Sequence, residues 1–417
     1  MDPIAHFLAV RATTEALVAR LEPEDVGLQV MPQASPAKWH LGHTSWFFQT
    51  FLLTPHVANY HPFHPQYSFV FNSYYEIVGA RQDRARRGDL SRPLLRDVLN
   101  YRAHVTHAVA ERLRDEPEDS PLWNVLMLGI HHEQQHQELI LTDTLANFSV
   151  NVLAPAYSTI APTSSGPAPD LTWHRFDGGI RAIGFEGPGL SAKRFAFDNE
   201  TPRHDVLMRD FELSSRLVTN GEFLAFIRDG GYRNSVWWMY DGWHWVNAES
   251  VEHPMHWRPD GNGGYATFTL GGLRALDPNE PVCHVSWYEA MAFAAWSKAR
   301  LPTEAEWEAA FGDRTATDAH NFAESERYLP RAATQAGLGQ ALGDVWEWTQ
   351  TPYAPYPGYT PPEGAFGEYN SKFMASQLVL KGGSCATPLS HFRTTYRNFF
   401  YPQQRWQFMG FRLARDA

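Results

Sequence analysis

Two histidines stand four residues apart in His132-Glu-Gln-Gln-His136-Gln-Glu138. On an α-helix, residues at i and i+4 share a face, one turn apart. Two imidazoles so placed are a common helical grip on a transition metal. The spacing alone also fits surface or core histidines, so company matters. A third candidate ligand, His43, lies in Trp39-His-Leu-Gly-His43-Thr-Ser-Trp46, and Gln134 and Gln135 sit between the first pair. A further set of reactive side chains lies in residues 54–90, with Tyr74-Tyr75 and Arg81, Arg84, Arg86 and Arg87. Tyrosines can donate a proton and arginines can hold a carboxylate. The alternative for this stretch is a packed loop with aromatic anchors.

Four segments have the pattern of helices that could position these groups. Residues 4–21 carry Phe7, Leu8, Val10, Leu17, Val18 and Leu21 at roughly helical spacing, and Glu22-Pro23 ends them. Ser35-Pro36 opens a second helix running to about Leu53, before Thr54-Pro55. A third covers 91–115, entered by Ser91 and Pro93. The fourth spans 120–148, with Ser120 as cap, Pro121 in the first turn, and no Gly or Pro from His131 to Asn151. Four such helices predict an up-and-down bundle, whose metal sites are built from side chains on facing helices. That arrangement suits His43 opposite His132 and His136.

Composition narrows the function classes. At 417 residues, two domains are expected. The net charge of −11, with no Lys/Arg run, argues against a nucleic-acid partner. Only Cys283 and Cys385 are present, which excludes a disulfide framework and points to a reducing compartment. The N-terminus lacks a basic and apolar leader pattern, and no run of 18 apolar residues occurs. The expectation is a cytoplasmic protein, monomer or homodimer, with no membrane partner. Residues 1–153 are expected to form the helical domain. The Pro/Ser-rich stretch 154–170 reads as a linker, and 171–417 as an irregular α+β domain with short helices at Phe223–Arg228 and Trp287–Lys298.

Five motifs in the second half carry a resemblance. They are Gly230-Gly-Tyr, Val285-Ser-Trp287-Tyr-Glu-Ala, Leu301-Pro-Thr-Glu-Ala-Glu-Trp307, Gly343-Asp-Val-Trp346-Glu-Trp348, and Gly382-Gly-Ser-Cys385 followed by Gly410-Phe-Arg-Leu. In this order they resemble the formylglycine-generating-enzyme family, which implies a C-type-lectin-like fold over 171–417. The first 150 residues resemble a DinB-like four-helix bundle with its His-x-x-x-His-x-Glu motif. The two together resemble the ergothioneine-biosynthesis sulfoxide synthases. Trp39-His-Leu-Gly-His43-Thr, Phe71-Asn-Ser-Tyr-Tyr-Glu76, Tyr396-Arg-Asn398-Phe399-Phe400 and Arg405-Trp-Gln-Phe are most similar to the branch that uses free cysteine. The copper-binding cysteine pair of the formylglycine enzymes is not evident, which argues against formylglycine generation.

The resemblance implies an enzyme with iron(II) on His43, His132 and His136, leaving His40 and His131 as ordinary polar positions. Three neutral imidazoles leave the ion's charge uncompensated and positions open for a thiol, an imidazole and the co-substrate O2. The implied second substrate is hercynine (Nα-trimethylhistidine). By the same resemblance Gln135 contacts its imidazole, Asn398 its carboxylate, and Phe399 and Phe400 its quaternary ammonium. Phe399 and Phe400 also fit as core anchors. Tyr75 is expected to assist the oxygen chemistry with Tyr74 orienting it, and Glu138 to orient a ligand histidine. Arg84 and Lys381 are candidates to hold the donor. Three departures leave the donor open. Gln49 stands where an acidic residue is usual, Thr144-Leu-Ala replaces a more polar triplet, and Lys381 replaces an arginine. The competing readings are a selenoneine synthase, which joins a selenosugar (a selenol donor) to hercynine, and a non-catalytic lectin-like binding module. A structural Ca2+ near Asp344-Val345 is an analogy only.

Overall fold

A computed structural model describes residues 2–159 and 166–417. The chain divides into two compact units. The first comprises Met1–Val152 together with two later excursions, Pro188–Asp198 and Thr360–Lys372. The second comprises Leu153–Gly187, Asn199–Tyr359 and Phe373–Ala417.

The helices of the first unit are α1 (Pro3–Val18), α2 (Ala37–Phe48), α3 (Leu95–Leu113) and α4 (Leu122–Ser149). Asp2 caps α1 by accepting from the Ile4 and Ala5 N–H groups, with Pro3 at the first helical position. Helix α2 widens into a π-helical stretch at Gln49–Leu53 before a last turn at Thr54–His56. The starts of α3 and α4 lie slightly beyond those expected, at Leu95 and Leu122. At α3, Asp97 accepts from the Leu94 N–H (3.0 Å), so a carboxylate inside the first turn serves that end rather than Ser91. Helix α2 packs on α3 and α4, and α1 on α4.

Buried charge ties these helices together. Glu133 on α4 accepts from Arg11 on α1 (2.9 Å) and from Arg102 on α3 (2.8 Å), with all three side chains almost wholly shielded from water. Glycines permit the closest approaches. A Cβ at Gly42 would lie 2.1 Å from the Phe71 ring, and one at Gly129 would lie 2.3 Å from Phe48.

Within residues 154–170, positions 160–165 of the expected linker lie outside the described residues. Tyr157 and Ser158 are buried in the second unit, where both backbone N–H groups donate to the Leu270 carbonyl (2.8 Å). Among the described residues, the strands of this unit form four small sheets. The largest joins β1 (Trp346–Pro352), β2 (Leu378–Lys381), β3 (Asn398–Phe400) and β4 (Met409–Gly410) in the order β3-β2-β1-β4. The glutamates of the sequence motifs are structural. Glu289 and Glu306 close capping boxes with Ser286 and Thr303. Glu289 also accepts from the Tyr232 hydroxyl (2.5 Å), and Glu347 pairs with Arg412 in the interior. Cys283 and Cys385 are both buried. Among the described residues, no helix is long and apolar enough to cross a membrane.

Candidate metal centre

Helix α2 is buried on nearly every side from Trp39 to Phe48, so its polar side chains need partners inside the protein. His43 finds one by donating from Nδ1 to the Phe71 carbonyl (2.6 Å). Gly42 makes that contact available, because its missing side chain is where the Phe71 ring sits. With Nδ1 protonated, the Nε2 lone pair of His43 faces α4. There His132 Nε2 lies 3.1 Å away. His136, one turn further on, completes a group whose three ligand atoms all lie within 4.8 Å of one another.

This donor set fits a metal ion. Two nitrogens each about 2.1 Å from one ion, and at right angles to each other, stand about 3 Å apart. Without an ion, His43 and His132 can share only a single proton across their 3.1 Å contact. The Nδ1 of His132 is buried and has no hydrogen-bond partner among the described residues. Burial, reinforced by the neighbouring imidazoles, holds His43 and His136 well below the usual histidine range; burial, opposed by Glu133 and aided by His40, pushes His132 down to about 3. All three are therefore neutral at physiological pH, which is the form that binds metal.

Two residues outside the expected ligand set join the centre. His40, read from sequence as an ordinary polar position, places Nδ1 2.7 Å from His136 Nδ1 and Nε2 3.0 Å from Asp143 Oδ2. Each lies on the same helix face as a ligand. Asp143 lies seven residues, two helical turns, beyond His136, and His40 lies three before His43. Glu138 is buried on the same helix. His131 stacks on Phe195 of the first excursion (4.0 Å between centroids).

Aromatic rings wall the centre. Trp39 stacks on His43 (4.5 Å, 11°), and Trp46 lies 5.4 Å from the same ring. Phe47 covers His132 at 4.6 Å. Tyr75 packs on Trp46 (5.5 Å) and Phe51 (5.0 Å), and its side chain is wholly buried. Tyr74 stacks on Tyr75 at 4.6 Å. Burial raises both phenols above the usual tyrosine range, so they hold their protons.

The excursion Thr360–Lys372 adds a residue that the sequence did not single out. Tyr369 lies edge-on to His132 (5.8 Å) and donates its hydroxyl to Gln135 Oε1 (2.5 Å). The same segment fastens the tyrosine loop. Glu368 accepts from the backbone N–H groups of Glu76 and Ile77 (2.8 and 3.0 Å), and Lys372 donates to the Tyr74 carbonyl. No local periodicity marks Tyr369, since its role comes from a long excursion of the chain. Gln49 accepts from the Tyr60 hydroxyl and the Phe63 N–H (both 3.3 Å), which anchors the start of the 54–90 insertion.

Other expected site residues lie as follows. Arg84 is exposed and donates to the Gln33 carbonyl. In the second unit, Asn398, Phe399 and Phe400 form β3 and are half-buried. Phe399 stacks on Tyr353 (4.0 Å, 9°), and Asn398 Oδ1 accepts from the Phe399 N–H (2.9 Å). Lys381 is wholly buried, paired with Glu308 (3.1 Å), and lies 5.6 Å from the Trp307 ring centre. A committed interior ion pair removes it from the donor contacts considered below. Asp344 accepts from Asn321 and from the Arg331 N–H (both 2.7 Å), and its carbonyl accepts from Cys385.

The chain is similar to known proteins along its length. Residues 176–341 and 324–417 match the sulfatase-modifying factor enzyme 1-like domain. The formylglycine-generating enzyme of Streptomyces coelicolor is 30% identical over 64% of this chain and 96% of its own length. The hercynine oxygenase of Mycobacterium tuberculosis is 32% identical over 99% of this chain and 98% of its own length. That of Mycolicibacterium smegmatis is 30% identical over 100% and 99% respectively. With a helical region ahead of a sulfatase-modifying-factor domain, and similarity running from end to end, this chain belongs to the hercynine oxygenase family.

Proposed function

We propose that the protein is an iron(II)-dependent, O2-using sulfoxide synthase that joins a thiol donor, cysteine, to the imidazole carbon of hercynine in ergothioneine biosynthesis. The observation that carries this reading is the convergence of three neutral imidazoles, with His43 and His132 Nε2 3.1 Å apart, in a buried aromatic chamber. On this reading the helical unit is a DinB-like bundle and the second unit a C-type-lectin-like domain. The reaction forms one C–S bond and gives up the thiol and imidazole C–H hydrogens. One atom of O2 goes to the sulfoxide and the other leaves as water. The two substrates supply all four electrons, so no further reductant is needed.

Iron(II) on the three histidines would supply the redox chemistry and open positions where the substrates meet. The chain's own residues bind, orient and move protons. Gln135 lies between two ligands, with its carboxamide oriented by Tyr369, and contacts the hercynine imidazole. Asn398 takes the carboxylate, while Phe399 and Phe400 take the quaternary ammonium by cation–π attraction. Tyr75 holds its proton by burial and delivers it during oxygen reduction, with Tyr74 stacked on it. Arg84 holds the donor's carboxylate. A thiol donor and a chain with only two cysteines suit the cytoplasm.

The test is a product assay. Protein reconstituted with iron under anaerobic conditions is mixed with hercynine and O2, and in parallel with cysteine, γ-glutamylcysteine or a selenosugar. Mass spectrometry should find the hercynyl-cysteine sulfoxide, dependent on iron and O2. Preference for the selenosugar would move the protein to the selenoneine branch, and no adduct with any donor would overturn the assignment.

A further inference from the structure

The contacts around His136 determine which of its nitrogens can bind a metal. A carboxylate offers only lone pairs, so Asp143 Oδ2, 3.0 Å from His40 Nε2, requires the proton on that nitrogen. A neutral imidazole with its proton on Nε2 keeps its lone pair on Nδ1, and that atom of His40 faces His136. The contact between the two Nδ1 atoms is 2.7 Å, so His136 Nδ1 must donate. A neutral imidazole has one lone pair, and that of His136 is thereby assigned to Nε2.

We propose that Asp143 and His40 form a relay that holds His136 in the tautomer and ring rotation that present Nε2 to the metal. They are positioning residues, acting through His136. The inference rests on the three-histidine reading above and extends it by one layer.

The relay is anchored on the side away from the centre. Asp143 also accepts from the Ser35 N–H (2.7 Å), and Ser35 Oγ accepts from Arg87 (2.9 Å). The Arg87 guanidinium lies 3.4 Å over Trp39, which stacks on His43. One chain of contacts therefore runs from the ligand on α4 to the ligand on α2. His40 and Asp143 are both buried, so neither can trade this geometry for water. Partners of this kind on a ligand histidine are worth about 10–100-fold in metal affinity.

The test uses the full chain, stripped of metal and titrated with Co(II), whose visible bands report the ligand field. His40→Phe keeps a ring but removes the acceptor, and Asp143→Leu keeps the volume but removes the carboxylate. Each should weaken Co(II) binding by about 10–100-fold and shift the bands. Asp143→Leu should add little when His40 is already Phe, because the two act in series. Asp143→Asn keeps an acceptor and should lose less. His40→Gln, whose amide oxygen can accept from His136 directly, should recover part of the affinity. Circular dichroism of the metal-free variants separates a positioning loss from unfolding. If either apolar variant unfolds, Asp143→Asn and His40→Gln decide the matter, and wild-type affinity and bands in both would overturn the relay. The same result in folded His40→Phe or Asp143→Leu would also overturn it, while leaving the three-histidine centre intact. A wild-type chain that takes up no Co(II) would remove both.

Discussion

Replacing Glu133 with Gln should destabilise the helical unit far more than its single changed atom suggests. The Glu133 carboxylate answers two buried guanidiniums at 2.9 and 2.8 Å. Gln retains one acceptor oxygen, turns an amide N–H₂ toward the other arginine, and removes the negative charge. Among the described residues Arg11 keeps neutral hydrogen-bond partners, Ser45, Thr106 and the Arg102 carbonyl, while Arg102 keeps Glu15, a carboxylate that is 45% exposed. Breaking a buried pair by removing one partner costs about 3–5 kcal/mol. The carboxyl's acidity gives an independent measure. Burial alone would raise it, yet Arg11 and then Arg102 overcome that and hold it at about 2 against an ordinary 4.5. At about 1.4 kcal/mol for each pH unit, that displacement is worth about 3 kcal/mol. The assay is urea unfolding of the metal-free protein followed by far-ultraviolet circular dichroism. With a slope of about 2 kcal/mol per molar urea, the helical transition should move down by about 2 M. The sign with pH follows from the depressed acidity. The stabilisation is complete above about pH 4.5 and fades as the pH falls toward about 2, so the gap between wild type and Glu133→Gln should close over that interval. A gap under about 1 kcal/mol at neutral pH, or one that ignores acid, would refute the reasoning.

Three further outcomes follow from the geometry of the centre. Tyr75→Phe removes a buried, protonated phenol and should divert turnover toward simple thiol oxidation; an unchanged product ratio by mass spectrometry takes Tyr75 out of the mechanism. Tyr369→Phe deletes the 2.5 Å bond that orients Gln135 and should raise the KM for hercynine about 5–10-fold, the worth of one good hydrogen bond, whereas an unchanged KM would separate Gln135 from that substrate. Gly42→Ala drives a methyl to within 2.1 Å of the Phe71 ring, which should cost about 1–3 kcal/mol in urea unfolding and loosen the His43–Phe71 bond. Phe71→Leu should relieve part of that cost, and an additive double variant would place the strain elsewhere.

Much of the helical unit was legible because helices announce themselves locally. The apolar spacing from Phe7 to Leu21, the long run without Gly or Pro after His131, and the His132/His136 spacing are all set by local chain. The ends were less legible. Leu94 is served by Asp97 from inside the helix, so the upstream Ser91 marked the start too early. The relay was missed for another reason. His40 looked idle because its partners, His136 and Asp143, lie about 100 residues away on a facing helix, and only packing brings them together. Tyr369 carried no signal, since it belongs to a turn-rich excursion that rejoins the first unit late in the chain. Lys381 misled because a lysine read as a ligand contact instead neutralises Glu308 in the interior. In the second unit the motif glutamates were visible as motifs, while their work as helix caps and ion-pair partners needed the fold.

The most direct test of the account is X-ray absorption spectroscopy of the full-length protein loaded with one equivalent of iron(II) under anaerobic conditions. The spectrum should require three imidazole rings in the outer-shell scattering, falling to two in a His43→Ala variant. Failure to retain iron, or a fit satisfied by fewer than three imidazoles in the wild-type protein, would contradict it.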